Sequence, residues 1–389
     1  MLIMITYFII YSNNRIFGTS VITPSKIFCI VWAIYAESSL YSGNPEYFLL
    51  QILYIFGFTL GLCVWPLLTG MNEHEKKYKK INNKTKKYYN TIAISIFLIG
   101  LSILTIKITN FGIIQFIAAS RLDIALITRG DFVFSLSDTI MTSGYLFSMS
   151  ISIIEKRRMS WVQVIMAFIM LAYSIMTISK AQLIFTVMPV GYLLSERGRI
   201  RAVHIGFSLI LGMFILFIWK PFLGYIFYEN RRFDITTIKL PGEITSWMEM
   251  YENIKYTEKI FGDSLFQTLL GIVHPFYDYE PLSVWYAKRY VPEIWDMGGG
   301  RGFPTIIEGY INFGFLGVFV FGVIIGVYFS CIEKYKRSSL PALIVTIATM
   351  CILHKFFRSE FYSIFKTLIW VTIIPGIVIY YISRLRIRA

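Results

Sequence analysis

The sequence predicts an all-α polytopic integral membrane protein, and three observations carry that expectation: composition, the spacing of apolar runs and the placement of charge. Of 389 residues, 56% are hydrophobic, 17% aromatic and only 15% charged, and the mean hydropathy is +0.61. That is too apolar for a soluble chain of this length.

A hydrocarbon core about 30 Å thick takes roughly 20 apolar residues per helical crossing. Runs of that kind, bounded by charge, occupy residues 1–11, 24–41, 47–69, 90–107, 138–154, 160–178, 181–195, 203–220, 304–330, 338–356 and 362–382, about eleven spans in all. The first is short. It lacks a basic start and a small-residue cleavage site, so it reads as an uncleaved helix rather than a signal peptide.

The formal charge is +14, from 37 Lys and Arg against 23 Asp and Glu. Five segments, 71–89, 155–158, 196–201, 333–337 and 384–388, hold about 19 Lys and Arg against about 5 Glu, which is the whole surplus. An even number of spans separates each from the next, so all five fall on one side, and the positive-inside rule makes that side cytoplasmic. The C-terminus is then inside. The same rule accounts for the lysine run at 76–87, so nucleic acid is not an expected partner.

Cys29, Cys63, Cys331 and Cys351 fall inside expected spans without paired spacing, as small apolar fillers do. His74, His204, His274 and His354 are too scattered to suggest a metal site. No metal and no cofactor are expected.

The chain divides at its polar stretches. Residues 1–220 hold eight spans, with the basic loop 71–89 inside and an exoplasmic loop at 108–137; 221–303 form a large exoplasmic loop; 304–389 hold three more spans. A loop of about eighty residues is functional or separately folded. Within it, 244–262 reads as an amphipathic helix, with Trp247, Met248, Tyr251, Ile254 and Phe261 at helical spacing, and 263–275 as a shorter helix stopped by Pro275. Together they predict a cap on the outer face. Its many Tyr and Trp rings fit either an interfacial belt or a platform for sugar rings.

The stretch GGGRGFPTIIEGYINFG, from Gly298 to Gly314, places charge at the mouth of an apolar run. Pro304 suits a helix start, so Glu308 is expected about 6 Å further in, at 1.5 Å per residue, with Asn312 one turn below on the same face. An ionisable residue there faces a wet cavity or a partner, and Arg301 is the nearest candidate partner; a plain interfacial ion pair is the alternative. The glycines lack the Lys-Ser/Thr ending of a phosphate loop. A guanidinium at a helix N-terminus still suits an anion, and the anion at that surface is a lipid phosphate.

Further exoplasmic cations are Arg121, Arg129, Lys180, Arg231, Arg232, Lys288 and Arg289. Lys180 occupies a very short turn between spans. Arginine holds phosphate oxygens through a planar fork, whereas snorkelling accounts for any one of these residues singly. His274 is a candidate base or donor. Local pairing is the competing account, since residues 220–308 carry about 9 cations and 12 acids.

A long exoplasmic loop followed by Pro304, Glu308, Tyr310, Asn312, Phe313, Gly314 and Gly317 resembles the oligosaccharide repeat-unit polymerases, the O-antigen polymerase (Wzy) family. The stretch SVITPSKIFCIVWAIY is similar to the start of that family's second span. Arg231 with Gly242 and Arg289 with Gly300 fit an Arg-to-Gly spacing found in two loops of some members, although here both lie in one loop. The resemblance implies a GT-C-like arrangement in the bacterial inner membrane, and a glycosyltransferase with its active site facing the periplasm. It implies undecaprenyl-diphosphate-linked oligosaccharides as substrates, and a chain-length regulator and a flippase of the same pathway as partners.

In that reading Arg301, Arg289, Arg231, Arg232, Arg129, Arg121, Lys180 and Asn312 bind diphosphate and sugar, and Glu308 or His274 is the base. Preorganised arginines meet the charge that develops on the leaving diphosphate. An O-antigen ligase shares these features and differs in its acceptor. A flippase or other transporter is the rival from another class, against which stand the lack of a repeat and the rim placement of the charges.

Overall fold

The computed structural model describes residues 2–17, 20–41, 43–69, 82–118, 131–177, 179–205, 242–273, 280–296 and 302–387. Among them every regular element is helical. Helices α1 to α7 are Leu2–Ser12, Pro24–Tyr41, Pro45–Thr69, Asn83–Phe111, Phe132–Glu155, Trp161–Met176 and Lys180–Glu196. Then come α8 Gly242–Ile254, α9 Asp263–Val273, α10 Leu282–Tyr290, α11 Thr305–Tyr335, α12 Leu340–Ile352 and α13 Phe361–Ile387.

Of the expected spans, five are helices long and apolar enough to cross a membrane: Pro45–Leu68, Asn83–Phe111, Thr305–Tyr335, Leu340–Phe357 and Phe361–Ser383. Leu2–Ser12, Pro24–Ala36 and Trp161–Met176 are shorter apolar helices. The expected spans at 138–154 and 181–195 lie within α5 and α7. The one at 203–220 lies, past residue 205, outside the described residues.

Several helix starts carry side-chain caps. Asp131 accepts from the Phe134 N–H at 2.9 Å to open α5, and Ser160 with Gln163 forms a reciprocal capping box at α6. Ser339 caps α12, with Pro341 in its first turn.

Glycines set the closest packing. Gly57 and Gly61 on α3 meet Gly322 and Gly326 on α11 so tightly that a β-carbon at any of the four would overlap a carbonyl oxygen of the facing helix. Gly100 on α4 and Gly144 on α5 do the same for that pair. Small residues four apart are how apolar helices approach closely where lipid supplies no hydrophobic drive.

Four of the five basic segments meet at one end of the bundle. Lys86 pairs with Glu155, and Arg337 with Glu196 at 3.2 Å. Lys156 lies 3.9 Å from Glu196, and Glu333 accepts from the Ser25 N–H at 2.9 Å.

The opposite end carries α8, α9 and α10. Trp247 of α8 packs on Tyr35 with ring centroids 4.4 Å apart, and the Tyr251 hydroxyl donates to Glu46 at 2.8 Å. The helix expected over 244–262 ends at Ile254. Its remainder turns because the N–H groups of Ile260 and Phe261 donate to the carbonyls of Ile311 and Asn312, at 3.1 and 3.2 Å, rather than to their own helix.

A second correction concerns α11. Phe313 (φ −139°, ψ 20°) and Gly314 (φ 64°, ψ −147°) break it. The chain doubles back there: Gly309 and Gly317 touch backbone to backbone, although eight residues of straight helix would separate them by about 12 Å. Residues 305–312 are thus a short leg folded against the long leg. Glu308 and Asn312 therefore do not gain depth along the span, as a straight helix from Pro304 would require.

Candidate functional site

The short leg of α11 is wholly buried, and the residues singled out in the sequence lie at its centre. Glu308 and Asn312 are 0% exposed, Ser264 and Glu360 1%. Glu308 accepts from the Ser264 hydroxyl at 2.8 Å and from the Phe361 backbone N–H at 2.8 Å. Asn312 donates to Ser264 Oγ at 2.8 Å and to the Glu308 carbonyl at 2.7 Å, and its own side-chain oxygen accepts from Gly262 N–H at 2.9 Å. The expected stacking of Glu308 over Asn312 is present. What it serves is a junction of the cap, the folded-back leg and the start of α13.

Beside this junction sits a second carboxyl. Glu360 precedes α13 and accepts from the Ser283 hydroxyl at 3.0 Å and the Ser283 N–H at 3.2 Å, which ties α10 to the bundle. Burial pushes its pKa up to about 7, against the pull of the hydrogen bonds from Ser283. A cleft of about 190 Å³ opens there, lined by Ser283, Val284, Trp295, Gly302, Arg358, Ser359 and Ser363. Gly302 is required at its place: a β-carbon would overlap the Arg358 carbonyl oxygen. One guanidinium, three hydroxyls and an indole give the cleft donors for anionic oxygens and a face for a sugar ring.

A further polar group, half-buried, lies elsewhere in the bundle. Asp138 accepts two hydrogen bonds from Gln182, at 2.7 and 2.6 Å, and Lys355 donates to Thr367 at 2.8 Å.

Of the expected site residues, Arg121, Arg129, Arg231, Arg232, His274 and Arg301 lie outside the described residues. Lys180 is the first residue of α7, directly after the cap residue Ser179. Arg289 is exposed, with its guanidinium 5.9 and 5.8 Å from the ring centroids of Trp285 and Tyr290. Lys288 pairs with Glu280 at 2.6 Å. Among the described members of the set, only Glu308 and Asn312 come together.

Lys355, Arg358 and Glu360 were not singled out by sequence reasoning, yet a signal exists. They are three charges within six residues, at the end of one span and in its connection to the next, at the end away from the basic segments. Comparison with known protein families, curated proteins and solved structures returns no match.

Proposed function

We propose that the protein joins oligosaccharide repeat units carried on undecaprenyl diphosphate, at the periplasmic face of the bacterial inner membrane. An acceptor hydroxyl attacks the reducing-end C1 of the growing chain. The C1–oxygen bond to diphosphate breaks, and undecaprenyl diphosphate leaves with the electron pair. The observation that supports this reading is the cleft of Arg358, Ser283, Ser359, Ser363 and Trp295, at the bundle end opposite the basic segments and beside the motif carboxyl Glu308.

Arg358, with Arg301 one residue before Gly302, meets the charge developing on the diphosphate. Glu360, bonded to the cleft-lining Ser283 and with its pKa near 7, is suited to take the acceptor proton. Glu308, buried and bonded through both oxygens, positions the cap and α13 around the cleft.

The test is a gel of surface lipopolysaccharide from a strain lacking only this gene, beside the strain with the gene restored. Lipid A-core bearing a single repeat unit, with the ladder regained on restoration, is the expected result. Bare core alone would point to a ligase or a flippase and remove the polymerase reading.

A further inference from the structure

The cap helix α9 has its polarity reversed relative to a helix that covers a protein in water. Ser264, Thr268 and Gly271, spaced four and three apart, are the residues it buries: Ser264 is 1% exposed and Thr268 4%, and a β-carbon at Gly271 would run into the Tyr362 ring. Phe266 and Leu269, three apart on the other side, are 59% and 62% exposed. A water-facing amphipathic helix does the opposite. Asp263 and Gln267, bonded to each other at 3.4 Å, form a third, polar strip along one border of the buried face.

The exposed apolar face is not isolated. Phe261, two residues before α9, is 78% exposed. Gly262 abuts the ring of Phe313, itself 41% exposed at the break in α11. From there Leu316, Val320 and Ile324 continue at four-residue spacing down the long leg, 67%, 38% and 46% exposed, on a helix long and apolar enough to cross a membrane. One apolar surface thus runs from that span onto the cap. Two interfacial anchors mark its level: Tyr362 lies against Gly271, and Lys366 reaches back one turn to the Tyr362 hydroxyl at 3.2 Å, as a snorkelling lysine does.

We infer that α9 lies in the plane of the membrane interface, with Phe261, Phe266 and Leu269 among the acyl chains of the leaflet at the cap end and Asp263 and Gln267 toward the headgroups. It anchors the cap within the bilayer edge rather than above it. This inference is independent of the proposed reaction.

The test uses the full chain with its four cysteines replaced by serine. Single cysteines at Phe266→Cys, Leu269→Cys, Asp263→Cys and the exposed cap residue Glu258→Cys are each labelled with a small fluorophore. The proteins are reconstituted one copy per lipid nanodisc, with plain or acyl-brominated phospholipids, and iodide serves as the aqueous quencher. Labels at 266 and 269 are expected to lose most of their fluorescence to brominated lipid and little to iodide, with the reverse at 258 and 263. Quenching of 266 and 269 by iodide as strong as at 258 would overturn the proposal. So would shielding of both positions from both quenchers, which would mean that protein covers the face. The two positions are separate readings, so misfolding of one variant leaves the other decisive.

Discussion

The carboxylate of Glu308 and the backbone N–H of Phe361 are 2.8 Å apart and hydrogen-bonded across 53 positions of sequence. Phe361 is the first residue of α13, and the first N–H groups of a helix have no partner within it. The acid of the folded-back leg supplies one. Glu308→Ala removes that acceptor and the partner of Ser264, and unpaired buried groups cost about 1–3 kcal/mol. The expected outcome is a lower unfolding temperature in detergent, with Glu308→Gln recovering most of the loss. A Glu308→Ala protein as stable as wild type would dismiss the junction as a stabilising element.

Gly314 adopts a φ of 64° with ψ of −147°, a region open in practice only to glycine. Nothing lies within 4 Å of an added β-carbon there, so Gly314→Ala tests backbone strain alone. A loss of about 1–3 kcal/mol is expected. Gly191→Ala, in a helix and also facing open space, should be neutral or stabilising by up to about 1 kcal/mol. Thermal unfolding of the two variants side by side checks the contrast.

Gly61 and Gly326 hold α3 and α11 at backbone contact. Valine at either position forces the helices apart, and overpacking of this kind destabilises by about 1–3 kcal/mol or more. Reduced yield of monodisperse protein on size exclusion is the readout. Wild-type behaviour of both variants would contradict the packing described.

Glu360 ties stability to pH. Its pKa rises from 4.5 to about 7 on folding because burial disfavours the charged form. A carboxyl raised in this way contributes stability that is full below the unfolded value and is lost as pH rises through the folded one. Unfolding temperature should therefore carry a component that falls between pH 4.5 and about 7. Glu360→Gln should flatten that component, as melts across this range would reveal. In the proposed reaction the same variant should be folded yet fail to extend chains.

Arg358 lines the cleft, and removal of one preorganised donor to developing charge lowers rates on the order of a hundredfold. Arg358→Ala should leave protein level unchanged and shorten the lipopolysaccharide ladder to single units, with Arg358→Lys intermediate. Arg301→Ala should do the same. Unchanged extension in either variant takes that residue out of the site.

Membrane class, most helix positions and the common end of the basic segments were legible in the sequence, because lipid imposes local rules. About 20 apolar residues make a crossing, and charge gathers where water is. The stacking of Glu308 and Asn312 was legible for the same reason: four residues apart is a property of any helix.

Tertiary structure decided the rest. That the leg 305–312 folds back on α11 depends on Gly309 meeting Gly317, and on the N–H groups of Ile260 and Phe261 donating to the carbonyls of Ile311 and Asn312. Neither is visible in hydropathy, since apolar residues continue on both sides of the break. Nor could sequence say that the motif acid would find its partners on Ser264 and Phe361, that Arg358 would line a cleft with Ser283, or that this serine would bond to Glu360. Those contacts join segments from 44 to 77 residues apart. Periodicity shows which residues share a face of a helix; whether that face is buried, and against what, is set only when the whole bundle closes.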